Sequence, residues 1–115
     1  MLQTLRKYSD IILSFSIKRF EQAGSSLRLR MEIDLADGSK LYVRETVMRG
    51  MKRKYAYHWQ DSAGRLLIRW DNAPDWDVES FPHHKHVAEQ DRVEASYERT
   101  LSQVPDVVRS KISNQ

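Results

Sequence analysis

The sequence predicts a single α+β domain. We expect an antiparallel meander of five or six β-strands, a C-terminal helix packed on the apolar face of the sheet, and a short N-terminal helix. Apolar and polar residues alternate without a fault over 27–35, and further alternating segments follow after short turns. The last residues carry apolar side chains at helical spacing. A chain of 115 residues can bury one core, so residues 1–115 form one domain.

The elements follow in order from these patterns. Residues 2–8 are the short N-terminal helix. Five strands are predicted over 11–20, 27–35, 40–48, 54–60 and 65–71, with AGSS, ADGS, RGMK and DSAG between them. Connections this short allow only antiparallel neighbours.

The turns predict the pairing of the strands. A three-residue loop with Gly38 in a left-handed conformation places Ile33 opposite Leu41, and with them Arg30 opposite Arg44. A two-residue loop would place apolar residues opposite polar ones. In the second hairpin, DSAG read as a four-residue loop pairs Trp59 with Leu66, Tyr57 with Ile68, Tyr55 with Trp70 and Lys54 with Asp71.

The remainder of the chain is predicted to be less regular before the last helix. Residues 71–98 are acidic and largely irregular, with a histidine-rich loop within 72–86 and a short edge strand near Val93. The helix begins near Gln103 with Ser102 as its cap and Pro105 in its first turn. Its apolar side chains are Val104, Val107, Val108 and Ile112.

Charge is distributed unevenly along the chain. Residues 1–70 hold 14 Lys and Arg against 7 Asp and Glu, whereas residues 71–98 hold 2 against 8. A basic first half predicts an anionic ligand, unless the acidic segment neutralises it within the molecule or the charges are merely solvated. In the predicted sheet one polar face collects Arg28, Arg30, Arg44, Lys54, His58 and Arg69.

Three of the four histidines lie in the segment PHHKH, residues 82–86. Histidine titrates near neutral pH, so two imidazoles can act as base and acid, and cations can stabilise a phosphate. RNA cleavage without a metal needs those three roles. The predicted catalytic residues are His58, His83, His86 and Asp71, and the predicted phosphate-binding residues are Arg30, Arg44, Lys54, Arg69 and Lys85.

Two other interpretations of the histidines stay open. The spacing of His84 and His86 could hold a metal ion if Asp71, Asp75, Asp77 or Glu79 contributed a ligand. Our prediction is nevertheless that no metal or other cofactor is needed. The histidines could also be incidental residues of a polar loop.

Three residues on the apolar side have structural interpretations. Glu45 lies between Val43 and Val47, where a carboxylate needs a partner, and we expect an arginine in that role. Trp59 and Trp70 are predicted to be core residues and not platforms for bases.

Composition excludes several classes. The chain has no cysteine, so disulfides and thiolate metal sites are excluded. It has no apolar run long enough to cross a membrane and no apolar signal segment at its N-terminus. We therefore expect a cytoplasmic protein that does not interact with membranes.

The segments VRE (43–45), KYAYHWQDSAGRLLIRWDNAP (54–74) and FPHHKHV (81–87) resemble the TumE-type toxin family, over residues from about 11 to 112. The one departure is Ala88, where the family pattern leads us to expect glycine. The resemblance implies the toxin of a bacterial toxin–antitoxin pair, encoded beside a small helix-turn-helix antitoxin. The positions that carry its motif are Arg44, Glu45, His58, Arg69, Asp71, Asn72, His83, His84, Lys85 and His86.

The combined prediction is a toxin that acts on RNA as a metal-independent endoribonuclease and binds a small antitoxin. A homodimer is compatible with it. The alternative is a module that binds nucleic acid or protein through the cationic face without catalysis.

Overall fold

The computed structural model describes residues 2–49, 53–73, 82–87, 92–96 and 99–113. The predictions made for Asp75, Asp77, Glu79 and Ala88 lie outside these residues. Helix α1 spans Leu2–Lys7 and helix α2 spans Val104–Ser113. The strands between them are β1 Ile12–Ala23, β2 Ser26–Leu35, β3 Lys40–Val47, β4 Lys54–Gln60, β5 Leu66–Asp71, β6 His84–Val87 and β7 Arg92–Ala95.

The strands form one sheet in sequential order, and each strand is antiparallel to the next. The predicted α+β meander with a helix at each end is therefore confirmed. β7 is the short edge strand expected near Val93. The difference from the prediction is β6, because residues 84–87 form a strand and not part of a loop.

The first hairpin has the predicted register. Ile33 pairs with Leu41 and Arg30 with Arg44. Gly38 has a φ of 88°, which is the left-handed conformation that the three-residue turn requires.

The predicted register of the second hairpin is wrong by two residues over most of its length. Trp59 pairs with Ile68, Tyr57 with Trp70 and Ala56 with Asp71. The cause is a bulge beside Trp59, next to a turn in which Asp61 N donates to Arg65 O at 2.8 Å. Because the shift is an even number of residues, each side chain keeps its predicted face.

The core lies between the apolar face of the sheet and the helices. Met31, Ile33, Leu41, Tyr57 and Trp70 are almost fully buried on the sheet side. The helices and the segments beside them contribute Leu5, Tyr8, Leu101, Val104 and Val108. Trp59 and Trp70 are core residues, as predicted. On the opposite face Arg30 and Arg44 are exposed, whereas Asp71 and His84 are buried.

Candidate functional site: a cationic groove beside buried histidines

The candidate site residues lie in two rows across the polar face, which we define as the sheet face opposite the helices. Directly opposed residues of antiparallel strands point to the same side of a sheet, so each row is a set of neighbours. The first row is Arg30, Arg44, Ala56, Asp71 and His84; the second is Glu32, Tyr42, His58, Arg69 and His86.

Two adjoining depressions on this face form one groove. The first has a volume of about 320 Å³ and the second about 290 Å³. Both are lined by Arg44, Ala56 and Arg69. Ala56 lies between Arg44 and Asp71 in the pairing, and its single methyl group leaves the space that a larger side chain would fill. We call these two depressions the cationic groove.

The β2–β3 end of the cationic groove carries two neighbouring positive charges. Arg30 and Arg44 face each other across the strand pair, and both are exposed. Neither has an ion pair among the residues that the structure describes. Two like charges on directly paired residues repel each other, and an anion placed over them relieves that repulsion.

Asp71 organises the other end of the cationic groove. Its carboxylate is buried and contacts four nitrogens. Oδ1 accepts from Ala73 N at 3.0 Å and lies 2.7 Å from His84 Nε2. Oδ2 accepts from Arg69 Nε at 3.1 Å and lies 3.4 Å from His86 Nε2. A carboxylate with this many partners is held in one orientation and fixes the side chains around it.

His58 and His86 flank Arg69 on the polar face. His58 Nδ1 lies 3.4 Å from Arg69 Nη1, and His86 Nε2 contacts the carboxylate that also holds Arg69. Two strand spacings separate the Cα atoms of the two histidines, which is roughly 10 Å. Their rings can therefore reach one group bound over Arg69 from opposite sides.

The surroundings favour the neutral form of both imidazoles. Burial, and then the charge of Arg69, lower the pKa of His58 below its ordinary value. Burial also lowers the pKa of His86; His84 and Arg69 act in the same direction, and Asp71 opposes them. A neutral His58 beside a guanidinium suits a proton acceptor. A carboxylate beside His86 stabilises that ring once it is protonated.

Three of the predicted site residues do not line this groove. His86 lies beside it, on the polar face and paired with Arg69. His83 is on the helix side of the sheet, where its Nδ1 lies 2.9 Å from Tyr55 Oη and the two rings stack. Lys85 is paired with Trp70, so it also projects from the apolar face. The structure brings together His58, His86, Asp71, Arg30, Arg44, Lys54 and Arg69.

The sequence analysis named His84 only as a possible metal ligand and as a motif residue, and it missed Ala56. His84 is fully buried, contacts Asp71, and donates through Nδ1 to the carbonyl oxygen of Pro82 at 2.9 Å. The alternation of His84 and His86 would have indicated it, had residues 84–87 been treated as a strand. Ala56 carries no chemical signal, and only the strand pairing shows that it forms the floor of the groove.

Asp71, His84 and His86 also have the arrangement of a metal site. Their candidate ligand atoms all lie within 4.8 Å of one another. The contact of His84 with a backbone carbonyl is the kind that orients a metal-binding imidazole. The Arg69 guanidinium weighs against a cation here, because it already interacts with Asp71.

Glu45 belongs to a separate cluster on the helix side. Its Oε1 accepts from Arg53 Nη2 at 3.1 Å and from the Tyr57 hydroxyl. Burial and the Glu45 carboxylate raise the pKa of Tyr57. The expected arginine partner of Glu45 is thus Arg53, and the cluster connects β3, β4 and, through Arg99 O, the segment before α2.

Comparison with known proteins gives one result. The family described as Toxin TumE matches residues 1–115, which is the whole chain. No curated protein and no solved structure matches this chain. Within the described residues no helix is long and apolar enough to cross a membrane.

Proposed function

Because the chain belongs to the TumE toxin family, we propose that it is a toxin that cleaves RNA, using His58 and His86 and no metal ion. The observation that carries the proposal is the row of contacts from His58 through Arg69 and Asp71 to His86, at 3.4, 3.1 and 3.4 Å. These contacts place two imidazoles on either side of a guanidinium at the edge of a cationic groove. Acting on RNA, the protein would work in the cytoplasm.

The first step of the proposal is binding of the RNA backbone. Arg30, Arg44 and Lys54 lie along the cationic groove and would each contact a phosphate oxygen. The uncompensated pair Arg30 and Arg44 gains most from an anion, so it would contact the phosphate beside the scissile one. Arg69 would contact the scissile phosphate, because it lies between the two histidines.

The second step is transfer of the phosphoryl group within the RNA. His58 would accept the proton of the 2′-hydroxyl, and the 2′-oxygen would form a bond to phosphorus. The bond from phosphorus to the 5′-oxygen would break, and His86 would donate a proton to that oxygen. The products would be a 2′,3′-cyclic phosphate and a 5′-hydroxyl. Arg69 would stabilise the charge on the phosphoryl oxygens, and Asp71 would hold the His86 imidazolium.

The partner we propose is a small helix-turn-helix antitoxin that covers the cationic groove. A family of toxins implies a neutralising protein. An acidic surface would complement Arg30, Arg44 and Lys54 and exclude RNA from them. Binding of the antitoxin should therefore weaken as salt concentration rises.

A second candidate is metal-dependent cleavage at Asp71, His84 and His86. The observation that favours it is the group of three potential ligand atoms within 4.8 Å. A Zn²⁺-type ion held by two imidazoles and a carboxylate could activate water for attack on a phosphate. A third candidate from another class is an RNA- or protein-binding module that uses the groove without catalysis.

One experiment separates the three candidates. The purified protein is incubated with an RNA oligonucleotide in EDTA, and the ends of the products are analysed. We expect cleavage to persist, to leave cyclic phosphate ends, and to fail when the nucleotide before the scissile bond is 2′-deoxy. Loss of cleavage in EDTA with recovery in Zn²⁺ or Mn²⁺ would replace our proposal with the metal site. If the protein binds the RNA but does not cleave it under any condition in which it is toxic, only the candidate without catalysis remains, the binding module.

A further inference from the structure

Tyr42 is an aromatic residue of the polar face that has no role in the reaction proposed for the groove. It lies in the second row of that face, between Glu32 of β2 and His58 of β4. The centroids of the Tyr42 and His58 rings are 5.9 Å apart, and the rings meet edge to face at 67°. Tyr42 is half-buried, whereas the tyrosines and tryptophans of β4 and β5 on the other face are buried. Part of its side chain is therefore open to solvent.

The two sides of the Tyr42 ring have different neighbours. On one side Lys40 Nζ lies 5.8 Å from the ring centroid, and Asp34 Oδ1 holds that ammonium group at 3.4 Å. Lys40 precedes Tyr42 by two residues and Arg44 follows it by two, so their side chains lie on opposite sides of it along the strand. Tyr42 and Arg44 line the first depression of the cationic groove, and Lys40 does not. The side of the ring that borders the depression is therefore the one away from Lys40.

The first depression has the properties of a subsite for one nucleobase. Small-ligand sites begin at a volume of roughly 300 Å³, and this depression has about 320 Å³. The Tyr42 ring supplies an aromatic wall, and aromatic rings stack on bases of any identity. Gln60 also lines the depression, and its amide can both donate to and accept from the edge of a base. The methyl group of Ala56 leaves the floor open.

We propose that the first depression binds the base of the nucleotide that carries the attacking 2′-hydroxyl, stacked on Tyr42. The assignment rests on the proposed function, in which Arg69 contacts the scissile phosphate and the pair Arg30 and Arg44 contacts a neighbouring one. One nucleotide lies between two neighbouring phosphates. His58, which accepts the proton of the 2′-hydroxyl, is paired with Tyr42 on one side and with Arg69 on the other. The nucleotide between the phosphates is thus the one with that hydroxyl, and its base lies against Tyr42.

This position of the base defines the class of RNA that is cleaved. In a duplex the faces of a base are covered by its neighbours in the strand, and its edge is paired with the opposite strand. Such a base reaches an aromatic side chain only when it leaves the helix. The substrate is therefore single-stranded RNA, or an unpaired nucleotide of a folded RNA.

The first test measures binding without catalysis. The probes are a short oligomer of deoxyadenylate and an abasic deoxyribose phosphate chain of the same length, which carry the same charge and lack the 2′-hydroxyl. In fluorescence anisotropy at one salt concentration, we expect the wild type to bind the oligomer with bases about 5- to 100-fold more tightly, the effect of stacking one base. Tyr42→Thr should abolish this preference, and Tyr42→Phe should keep it, because the ring is retained.

The variants need a control for folding and for the loss of an aromatic residue. Threonine retains the preference for strand, and cooperative thermal melting would show that Tyr42→Thr is folded. The matched control is Phe20→Thr, because Phe20 is 50% exposed on the opposite face of the sheet. It should leave the preference for bases unchanged.

The second test locates the base relative to the scissile bond. In an RNA oligonucleotide with a mapped cleavage site, the nucleotide before or after that bond is replaced by an abasic ribonucleotide that keeps its 2′-hydroxyl. For the wild type, kcat/KM should fall about 5- to 100-fold when the nucleotide before the bond is abasic, because one stacked base is lost. In Tyr42→Thr the same replacement should have no further effect, since the stack is already absent.

The two tests separate failure of this inference from failure of the proposed function. If bases are preferred through Tyr42 but no RNA is cleaved, the base subsite stands and the reaction assigned to the groove falls. If RNA is cleaved and Tyr42→Thr still prefers bases over the abasic chain, the inference is overturned and the proposed function stands. A greater loss of cleavage when the nucleotide after the scissile bond is abasic would also overturn the inference.

Discussion

The two ends of the cationic groove differ in how their charges are held. At the β2–β3 end, Arg30 and Arg44 are exposed and have no ion pair within the described residues. At the β5–β6 end, the buried Asp71 contacts Arg69, His84 and His86. The first arrangement can attract an anion but imposes little geometry on it, whereas the second fixes each side chain relative to the others. In our proposal, binding of the RNA and the chemistry therefore fall on different strands of one sheet.

The strongest test of this contrast is removal of a histidine at the ordered end. We expect His58→Ala or His86→Ala to lower the rate of RNA cleavage about 10²–10⁴-fold, the usual loss for an acid–base group. His83→Ala is the matched control, because His83 contacts Tyr55 on the other face. It should leave the rate within a few-fold of the wild type. A larger loss of cleavage rate for His83→Ala than for His86→Ala would place the chemistry on the helix side of the sheet. If neither His58→Ala nor His86→Ala lowered the rate, the mechanism would be refuted.

The next largest effect concerns stability. Asp71→Asn replaces a carboxylate with an amide that cannot accept from every neighbouring nitrogen, and we expect the free energy of unfolding to fall by about 2 kcal/mol. Asp34→Asn is the control, because Asp34 is half exposed and pairs only with surface groups such as Lys40. Its effect should stay within about 0.5 kcal/mol. Equal effects in urea denaturation would show that the contacts of Asp71 stabilise the fold no more than a surface ion pair does.

A smaller effect is expected for the exposed arginines. Arg44→Gln should weaken RNA binding and reduce the slope of log affinity against log salt by about 1, because one phosphate contact is lost. Arg65→Gln removes the same charge from an exposed turn, where Arg65 pairs with Asp61. We expect no change in slope for this control. An unchanged slope for Arg44→Gln, measured by fluorescence anisotropy, would mean that the backbone binds elsewhere.

The smallest effect is a shift in pH dependence. Burial and Arg69 lower the pKa of His58, so its neutral, proton-accepting form persists to a lower pH than in an ordinary histidine. In a profile of kcat/KM against pH, the rising limb should therefore lie below pH ~6.5, and activity should fall again at higher pH as His86 loses the proton that it must donate. Arg69→Gln removes a cation that lowers this pKa, so the rising limb should move to higher pH. A limb that moves to lower pH, or stays in place, would exclude His58 as the proton acceptor.

The parts of the fold that could be predicted are those in which apolar and polar residues alternate regularly along a strand. The alternation of β2 and β3 with Gly38 between them fixed the register that pairs Arg30 with Arg44. The register of the second hairpin could not be predicted in the same way, because the pattern of apolar residues does not indicate the bulge beside Trp59. Strand β6 was not predicted because the segment HHKH (83–86) shows no alternation of apolar and polar residues. His84 and His86 nevertheless share one face of the sheet, and the residues beside them point to the other.

Most residues of the candidate site could be predicted from the sequence, but their arrangement in space could not. His58, Arg69, Asp71 and His86 were all predicted, and the strand pairing brings them together. Sequence could not separate His83 from its neighbours, because adjacent residues of a strand point to opposite faces only once a strand has been recognised. The contacts of Asp71 join residues from β5 and β6, and such contacts follow from pairing that no local pattern encodes.

The order of the strands has a consequence for how the molecule assembles. Every strand pairs with its neighbour in the chain, so the sheet can grow by closing short loops as the chain leaves the ribosome. Closure of the whole molecule comes later and spans almost its full length, through Tyr8 Oη donating to Ser102 O and Arg109 contacting Asp10. The strands of the proposed site would be in register before α2 covers the core. A nascent chain would then present the face that we propose to bind RNA while it is still incompletely folded, so an antitoxin that recognises the sheet alone could capture the toxin before its synthesis ends.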